Sequence, residues 1–332
     1  MKRLKLGVLG DGGWGTTLAI LLHQKGFEVS LWGAFPEYIR QVEKTRVNDK
    51  FLPGVTIPRA IRLTADMQEA AAEKDVIVFA VPSEYLRGVL KKFKQCRFSR
   101  AGVFVSVSKG IETLSLKRMS EVIHEELGAV HLGVLSGPTI TREVVSGKPT
   151  TAIIASRNLK VRRHLQDIFI SGNFRIYTCA DVVGVELGGS LKNVIAIACG
   201  ICDGLELGSN AKAGLLSRGL AEMSRLGLAM GAEAKTFSGI SGLGDLVTTC
   251  FSPYSRNRFV GEQVAKGKSL ASIRNSMQMV AEGVPTTKSA FALARKHRVA
   301  MPITEQVYGV LYKHKSVFRA VKDLMSRQRK EE

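Results

Sequence analysis

The chain is short of cysteine for its length of 332 residues, and this shortage excludes a disulfide-stapled domain. Its five cysteines are an odd number and lack the dense spacing of such a scaffold: Cys96, Cys179, Cys199, Cys202 and Cys250. Cys199 and Cys202 form a C-x-x-C pair, but no second pair or nearby histidine completes a zinc site. We therefore predict that these thiols pack in a core and that the protein holds no metal.

Long apolar segments are also scarce. The uncharged stretch from Asn193 to Cys202 is far below the roughly 18 residues that a membrane span needs. The apolar residues after Met1 end at Asp11 and a glycine cluster, too early for a secretory signal. These features predict a cytoplasmic protein without stable membrane insertion.

Acidic residues are outnumbered by basic ones, 29 against 48, which leaves a formal charge of +19. Such a field favours anionic partners, either nucleic acid or small phosphorylated molecules. The basic segment Lys313–Lys330 predicts an amphipathic helix with a solvated face, followed by a frayed tail at Arg329–Glu332. No aromatic RNA-binding signature accompanies it, so we expect no nucleic-acid partner.

The N-terminus carries the pattern of a dinucleotide site. Residues Leu4–Leu9 predict a buried strand, GDGGWG follows, and the next residues have helical length and apolar content. Gly10, Gly12 and Gly15 satisfy G-x-G-x-x-G, which supplies a tight turn, close approach of a pyrophosphate and close helix packing. An anion would bind at the free N–H groups of the helix start.

The second predicted strand, Glu28–Trp32, ends without the usual ribose-binding residue. Gly33 and Ala34 stand where an NAD enzyme usually has an acid, and the nearest acid and base along the chain are Glu37 and Arg40. With no carboxylate there to repel a 2′-phosphate, we expect both cofactors to be used with a modest preference for NADPH. Arg40 or Arg46 could then reach the phosphate.

Strands and helices alternate over the rest of the first half. The predicted strands lie near residues 75–81, 102–107, 132–135, 151–155 and 174–178, with helices near 83–93, 115–127 and 158–169. This alternation indicates an α/β fold, a Rossmann-type doubly wound and mostly parallel sheet, over residues 1–183. Ligands of such sheets bind at the carboxyl ends of strands, where Val81–Pro82, Ser106–Gly110 and Ser136–Pro138 fall.

Strand signals stop after about Asp181, so residues 184–332 predict an all-helical domain. Its helices are expected near residues 184–205, 210–230, 255–266, 282–297, 302–312 and 317–326. Two segments between them look like loops with functional groups. SGLGDLVTTC carries Asp245, and SRNR, residues 255–258, offers guanidinium groups suited to clamping a phosphate, although a solvated basic turn has the same composition.

The stretch GGSLKNVIAIACGICD, residues 188–203, is apolar around a whole helical circumference, and such a helix is buried on every side. It nevertheless places Lys192 and Asn193 in its first turns, where a cation opposes the helix dipole and a buried ammonium needs a partner. Either Lys192 lies near a cleft and donates to a reacting oxygen, or its side chain extends from the helix end to water.

Seven segments together resemble the bacterial NAD(P)-dependent glycerol-3-phosphate dehydrogenases. They are GDGGWGTTLA, VSKGIE, LSGPT, the stretch from GGSLKNVIAIACGI to LAEM, SGLGDL, SRNR and AEGVPT, in order between about residues 4 and 313. The resemblance implies reduction of dihydroxyacetone phosphate to sn-glycerol 3-phosphate by a nicotinamide cofactor, for phospholipid synthesis, in a cytoplasmic homodimer.

The resemblance also implies roles for individual residues. Lys192 falls on the catalytic acid/base position. The substrate positions are Lys109, Gly137, Thr139, Lys192, Asp245, Ser255, Arg256 and Asn257. The cofactor positions are Gly10, Gly12, Gly13, Trp14, Gly15, Ala34, Lys109, Thr141, Arg256, Val280 and Glu282. This chain departs from many relatives, which have Ser where it has Gly13 and a basic residue or His where it has Ala34.

Two other classes of protein share parts of this pattern. A two-domain reductase acting on 3-hydroxy acids would have the same architecture but no need of the SRNR clamp. A nucleotide-sensing or nucleic-acid-binding protein would use the charge and the cofactor fold without turnover, and the lysine in an apolar helix argues against it.

Overall fold

The computed structural model describes residues 3–99 and 102–328, so the predicted tail at Arg329–Glu332 lies outside the described residues. The chain divides into two compact units. The first comprises the chain up to Lys109 and from Lys117 to Glu186, and the second comprises Gly110–Leu116 and the chain from Leu187 onward. The predicted first domain, residues 1–183, includes Gly110–Leu116, which belong to the second unit in the structure.

The first unit alternates short strands with helices. Its strands are β1 (Lys5–Leu9), β2 (Glu28–Trp32), β3 (Val47–Asn48), β4 (Leu52–Thr56), β5 (Arg62–Thr64), β6 (Val76–Phe79), β7 (Val103–Ser106), β8 (His131–Ser136), β9 (Thr150–Ala155) and β10 (Phe174–Cys179). Its helices are α1 (Gly13–Gln24), α2 (Pro36–Thr45), α3 (Met67–Ala71), α4 (Ser83–Phe93), α5 (Met119–Leu127), α6 (Thr141–Val145) and α7 (Leu159–Phe169).

Eight strands form one sheet in the order β10-β9-β8-β7-β6-β1-β2-β5. Every pairing is parallel except that of β8 with β9, so β9 and β10 run opposite to the other six. Alternate residues of β6 enter different cores: Val76 and Val78 pack with α1 and α7, whereas Ile77 and Phe79 pack with α4 and α5. The predicted doubly wound, mostly parallel sheet is confirmed.

Several short elements of this unit were missed. Helix α2 begins at a proline and is mostly polar, and β5 has only three residues, so neither carries a long periodic signal. The β3–β4 hairpin, α3 and α6 are equally short. The predicted helix 115–127 begins instead at Met119.

The second unit is helical, as predicted. Its helices are α8 (Val182–Gly204), α9 (Gly208–Ala229), α10 (Ala234–Phe237), α11 (Asp245–Phe251), α12 (Arg256–Ala265), α13 (Leu270–Ser276), α14 (Gly283–Lys296), α15 (Pro302–Tyr312) and α16 (Val317–Met325). A π-helical turn, Ile240–Gly244, precedes α11. SGLGDLVTTC is therefore not a flexible loop, and SRNR is the N-cap and first turn of α12.

Helix α8, with 23 residues, is long and apolar enough to cross a membrane. However, 94% of its most apolar segment is buried within the protein. It begins earlier than Gly188, because the Asp181 carboxylate accepts a hydrogen bond from the Gly184 N–H at 2.8 Å. Lys192 is consequently not in the first turns of α8. The predicted conflict between its charge and the helix dipole was therefore wrong. Cys199 and Cys202 are buried within α8, as core packing requires.

Candidate active site

The glycine turn between β1 and α1 has the shape that a dinucleotide phosphate needs. Gly10 has a φ of +123°, and a side chain at Gly15 would collide with the Gly10 carbonyl at 1.9 Å, so both glycines are required by the turn itself. Gly12 is the N-cap residue of α1, and no side-chain hydrogen bond caps the helix there. A Cβ added at Gly12 would meet no atom within 4 Å. The turn is therefore open at Gly12, next to the helix start whose N–H groups are suited to binding a pyrophosphate.

Gly13 lies close to the main chain of Phe51 and leaves no room for a side chain. A Cβ at Gly13 would lie 2.6 Å from the Phe51 carbonyl oxygen, so a side chain would require the Phe51 backbone to move. The same Cβ would lie 3.5 Å from the Thr141 side chain, which brings two predicted cofactor residues together. Trp14 follows in α1, and its ring packs edge-on against Phe174 at 6.4 Å between centroids.

The carboxyl end of β2 contains an acid that the sequence analysis missed. Asp11, from the glycine turn, is 9% exposed, and its Oδ2 would lie 2.6 Å from a Cβ at Gly33. Spacing along the chain gave no sign of it, because Asp11 and Gly33 are 22 positions apart in sequence. Ala34 is exposed.

The two arginines expected to reach a 2′-phosphate have other partners. Arg40 forms an exposed ion pair with Glu37, and Arg46 donates from Nη1 to the Ile61 carbonyl at 2.9 Å. Arg46 is thereby tied to the chain just before β5.

Lys109, Gly137 and Thr139 meet at the carboxyl ends of β7 and β8, as the predicted parallel sheet requires. The Lys109 ammonium donates to the Gly137 carbonyl at 2.7 Å and lies 3.4 Å from the Thr139 hydroxyl oxygen. Gly137 has a φ of +121°, which turns the chain after β8 and aims this carbonyl at the lysine. A half-buried cation at this edge is suited to an anionic or carbonyl ligand.

Lys192 is buried in the second unit, with 6% of its surface exposed, and does not extend to water. Its ammonium donates to Asp245 Oδ1 at 2.7 Å and to the Thr249 hydroxyl at 2.5 Å. Asp245 is 1% exposed and begins α11, and Thr249 lies one turn later in the same helix. Thr249 was not predicted, because only the i, i+4 spacing on a helix brings it to Asp245 and the segment was expected to be a loop.

Close helix packing holds this lysine in position. A Cβ at Gly188 would lie 2.6 Å from the Ser241 carbonyl, so α8 approaches the π-helical turn before Asp245 through a glycine. A Cβ at Gly200 would lie 1.9 Å from the Arg258 carbonyl, so α8 and α12 also meet backbone to backbone. Gly188 and Gly200 are therefore required by packing around α8.

The neighbours of Lys192 and Arg256 are joined by a buried hydrogen bond. Asn257 donates from Nδ2 to Asn193 Oδ1 at 2.8 Å and accepts from the Gly283 N–H at 2.9 Å. Asn193 follows Lys192 in sequence, and Asn257 follows Arg256. Because their hydrogen bonds join α8, α12 and the start of α14, they fix these three helices relative to one another.

Arg256 stands in the first turn of α12, where the Ser255 hydroxyl caps the helix by accepting from the Arg258 N–H at 3.2 Å. The Arg256 guanidinium donates from Nη1 to the Val280 carbonyl at 2.7 Å and interacts electrostatically with Glu282. Three predicted cofactor residues of this unit are thus in one place. The guanidinium has four further N–H donors and remains exposed, a geometry suited to a phosphate.

The first unit therefore contains a dinucleotide cradle, and the second contains a buried ammonium held by a carboxylate beside an arginine. Both sets of groups are ones that a nicotinamide-dependent oxidoreductase acting on a CH–OH group uses, and this is the class to which the comparisons below assign the chain.

Known proteins narrow the class to one family. Residues 5–162 match the family described as NAD-dependent glycerol-3-phosphate dehydrogenase N-terminus, and residues 181–322 match the corresponding C-terminus. The chain is 49% identical to glycerol-3-phosphate dehydrogenase [NAD(P)+] of Prosthecochloris aestuarii over 98% of both chains. It is also 49% identical to that of Geobacter metallireducens, over 99% of this chain and 98% of the other.

A solved structure gives the same result. Glycerol-3-phosphate dehydrogenase from Coxiella burnetii matches with a TM-score of 0.94 and 36% identity over 98% of this chain and 99% of the other. The chain belongs to the NAD-dependent glycerol-3-phosphate dehydrogenase family.

Proposed function

We propose that this protein reduces dihydroxyacetone phosphate to sn-glycerol 3-phosphate with NADH or NADPH, and that the product enters glycerophospholipid synthesis. The observation that carries the proposal is the Lys192–Asp245 ion pair, buried beside the network that anchors Arg256. Family membership supports the reaction, and this geometry supplies groups for both ends of the substrate.

Lys192 is the proton donor of the proposed reaction. A bound nicotinamide supplies the hydride, and negative charge then develops on the ketone oxygen. A cationic lysine stabilises that charge and transfers its proton to the oxygen. Asp245 and Thr249 accept from the ammonium and keep it charged and oriented in an environment where an unpaired cation is costly.

The other proposed substrate residues are found in each of the two units. In the second unit, Arg256 binds the phosphate with its remaining donors, and Ser255 and Asn257 hold the start of α12 around it. In the first unit, Lys109, Gly137 and Thr139 contribute at the carboxyl ends of β7 and β8. Asp245 also belongs to the proposed substrate residues, because it positions Lys192.

The cofactor contacts follow the same division. Gly10, Gly12, Gly13, Trp14 and Gly15 form the turn that receives the pyrophosphate, with Ala34, Lys109 and Thr141 contributing from strand ends and α6. Arg256, Val280 and Glu282 contribute from the second unit. We propose that both cofactors are used, with NADPH favoured by less than about tenfold in kcat/KM, because Ala34 offers neither a repelling acid nor a binding cation.

One assay tests the reaction against its two alternatives. Absorbance at 340 nm is followed with NADH or NADPH after addition of dihydroxyacetone phosphate, a 3-keto acid or no substrate. We expect oxidation only with dihydroxyacetone phosphate. Turnover of the 3-keto acid instead would make the protein a hydroxy-acid dehydrogenase, and nucleotide binding without any turnover would make it a sensor.

The quaternary state and location belong to the same proposal. We expect a homodimer in the cytoplasm, on the basis of the family resemblance. Sedimentation velocity at micromolar concentration checks the first expectation, since a single species at the mass of one chain, 36.1 kDa, would contradict it. Fractionation of cells that express the tagged full chain checks the second.

A further inference from the structure

Asp11 is a carboxylate with an unexplained position. Its Oδ2 is buried and has no hydrogen-bond partner among the residues that the structure describes. Burial raises the pKa of this carboxyl, so the folded protein pays for keeping it charged. The Thr16 hydroxyl and the Asn48 amide donate to the Asp11 main-chain oxygen and leave Oδ2 without a partner.

The Asp11 carboxylate occupies the space that a side chain on β2 would fill. A Cβ at Gly33 would lie 2.6 Å from Asp11 Oδ2 and 2.7 Å from its Cγ. Gly33 is the first residue after β2, the point where dinucleotide-binding sheets usually place the acid that accepts from a ribose hydroxyl. The glycine turn thus delivers to this point the acid that the strand lacks.

A lysine lies on the same side of the unit. Lys50 interacts electrostatically with Asp11, and its ammonium lies 5.1 Å from the Phe51 ring centroid and 5.8 Å from that of Tyr38. The aromatic faces attract the cation without consuming its N–H donors. Lys50 is the cation whose charge acts on Asp11, so it is the candidate to meet an added phosphate.

Hydrogen bonds tie the Lys50 segment to the glycine turn. The Lys50 N–H donates to the Tyr38 hydroxyl at 3.0 Å, and that hydroxyl donates to Asn48 Oδ1 at 2.7 Å. Asn48 Nδ2 in turn donates to the Asp11 carbonyl at 2.7 Å. The main chains of Asp11 and Lys50 are therefore held on one framework, and their side chains start from it.

We propose that Asp11 and Lys50 read the adenosine ribose of the cofactor, Asp11 by accepting from the 2′-hydroxyl of NAD(H) and Lys50 by binding the 2′-phosphate of NADP(H). This inference rests on the proposed function. The two opposite charges account for acceptance of both cofactors without an acid at Gly33 or Ala34. Each residue should affect one cofactor more than the other.

The test is direct binding of NADH and NADPH at low salt, measured by the fluorescence of the bound nucleotide, without substrate. Asp11→Asn should shift the ratio of the two Kd values toward NADPH by about tenfold, the usual scale for losing a charged hydrogen bond. Lys50→Gln should shift it toward NADH by about fivefold, as for a solvent-exposed charge pair. Asp49→Asn and Lys44→Gln remove neighbouring exposed charges and should leave the ratio unchanged.

A ratio within one protein does not depend on its folded fraction, so partial unfolding of Asp11→Asn does not imitate the effect. The surface variant Lys50→Gln tests the same claim without touching the core. If the wild type binds both nucleotides and neither variant changes the ratio, the inference is wrong and the proposed function stands. If the wild type binds neither nucleotide, the proposed function fails and this inference fails with it.

Discussion

The two units build their candidate sites from different materials. In the first unit the binding groups are main-chain N–H and carbonyl groups of a glycine turn and side chains at the ends of strands. In the second unit they are side chains fixed inside helix packing, with Lys192 and Asp245 both buried. A site made of backbone tolerates changes in nearby side chains, whereas a buried ion pair does not. Substitutions near the end of β2 should therefore alter cofactor selection, and those around Lys192 should alter turnover.

The substitution with the largest expected effect is Lys192→Met, which keeps the length of the side chain and removes its charge. We expect kcat to fall by at least about 100-fold, the lower scale for losing a general acid. The substitution also leaves the buried Asp245 carboxylate without its cation, which costs roughly 3–5 kcal/mol of unfolding free energy. Steady-state kinetics and urea unfolding measure the two effects separately.

Two matched variants separate chemistry from stability. Lys192→Met combined with Asp245→Asn should recover part of the unfolding free energy but none of the activity. Lys212→Met removes another buried lysine of the same unit, paired with Asp203 at 2.8 Å, and should lower stability while kcat stays within a few fold. A Lys192→Met enzyme with near-normal kcat would assign the lysine a structural role only.

The next largest effect concerns the phosphate. Arg256→Lys keeps the charge but not the planar fork, so kcat/KM for dihydroxyacetone phosphate should fall by about 30-fold, within the usual scale for a charge-assisted contact. The slow reaction of unphosphorylated dihydroxyacetone should hardly change. Arg258→Lys is the control, because that guanidinium already pairs with Asp203 and Glu262. Equal losses for both ketones would remove Arg256 from the phosphate site.

A second buried acid sharpens the contrast with Asp245. Glu222 is 1% exposed and accepts from the Ile303 and Thr304 N–H groups at the start of α15, and desolvation raises its pKa to about 6. The folded protein then holds this proton more tightly than the unfolded chain does. Its contribution to the unfolding free energy should fall by about 2 kcal/mol as pH rises from about 4.5 to about 6.

Urea unfolding across pH 4–7 checks this sign. Glu222→Gln should lack the loss of stability with rising pH, while Glu305→Gln, an exposed acid in the first turn of α15, should behave as the wild type. Identical pH profiles for wild type and Glu222→Gln would contradict the raised pKa.

The smallest expected effect is on cofactor choice in the first unit. Ala34→Asp adds an exposed carboxylate after β2 and should shift kcat/KM toward NADH by about tenfold at low salt, by repelling the 2′-phosphate. Ala34→Asn has the same shape without the charge and should leave the ratio near that of the wild type. An unmodified enzyme already more than a hundredfold selective for NADH would contradict the predicted tolerance.

The elements with strong periodicity could be predicted from the sequence. Strand β2 and helix α4 have the bounds that the pattern indicated, and α8 was recognised as a buried helix because it is apolar all round. Its start was expected near residue 184 and lies at Val182, while Gly188, inside the helix, is a close-packing position. Local composition cannot distinguish a glycine that ends a helix from one that admits a neighbouring backbone.

The site residues likewise divide into those that could be predicted from the sequence and those that could not. Lys192 could be found because a lysine in an apolar helix needs a partner, and the resemblance supplied Asp245. Thr249 and Asp11 could not be found, because their positions depend on contacts between segments that are distant in sequence or on helical spacing in a segment without helical periodicity. Tertiary contact is the information that the linear pattern lacks.

Chemical rescue tests the central claim, that Lys192 donates the proton, most directly. Lys192→Ala removes the ammonium and leaves room for a small alkylammonium ion in its place. We predict that kcat/KM for dihydroxyacetone phosphate rises with the concentration of added methylammonium or ethylammonium and varies with the pKa of the amine, as general acid catalysis requires. A folded Lys192→Ala enzyme that binds NADH as the wild type does, yet gains no activity from any amine, would contradict the claim.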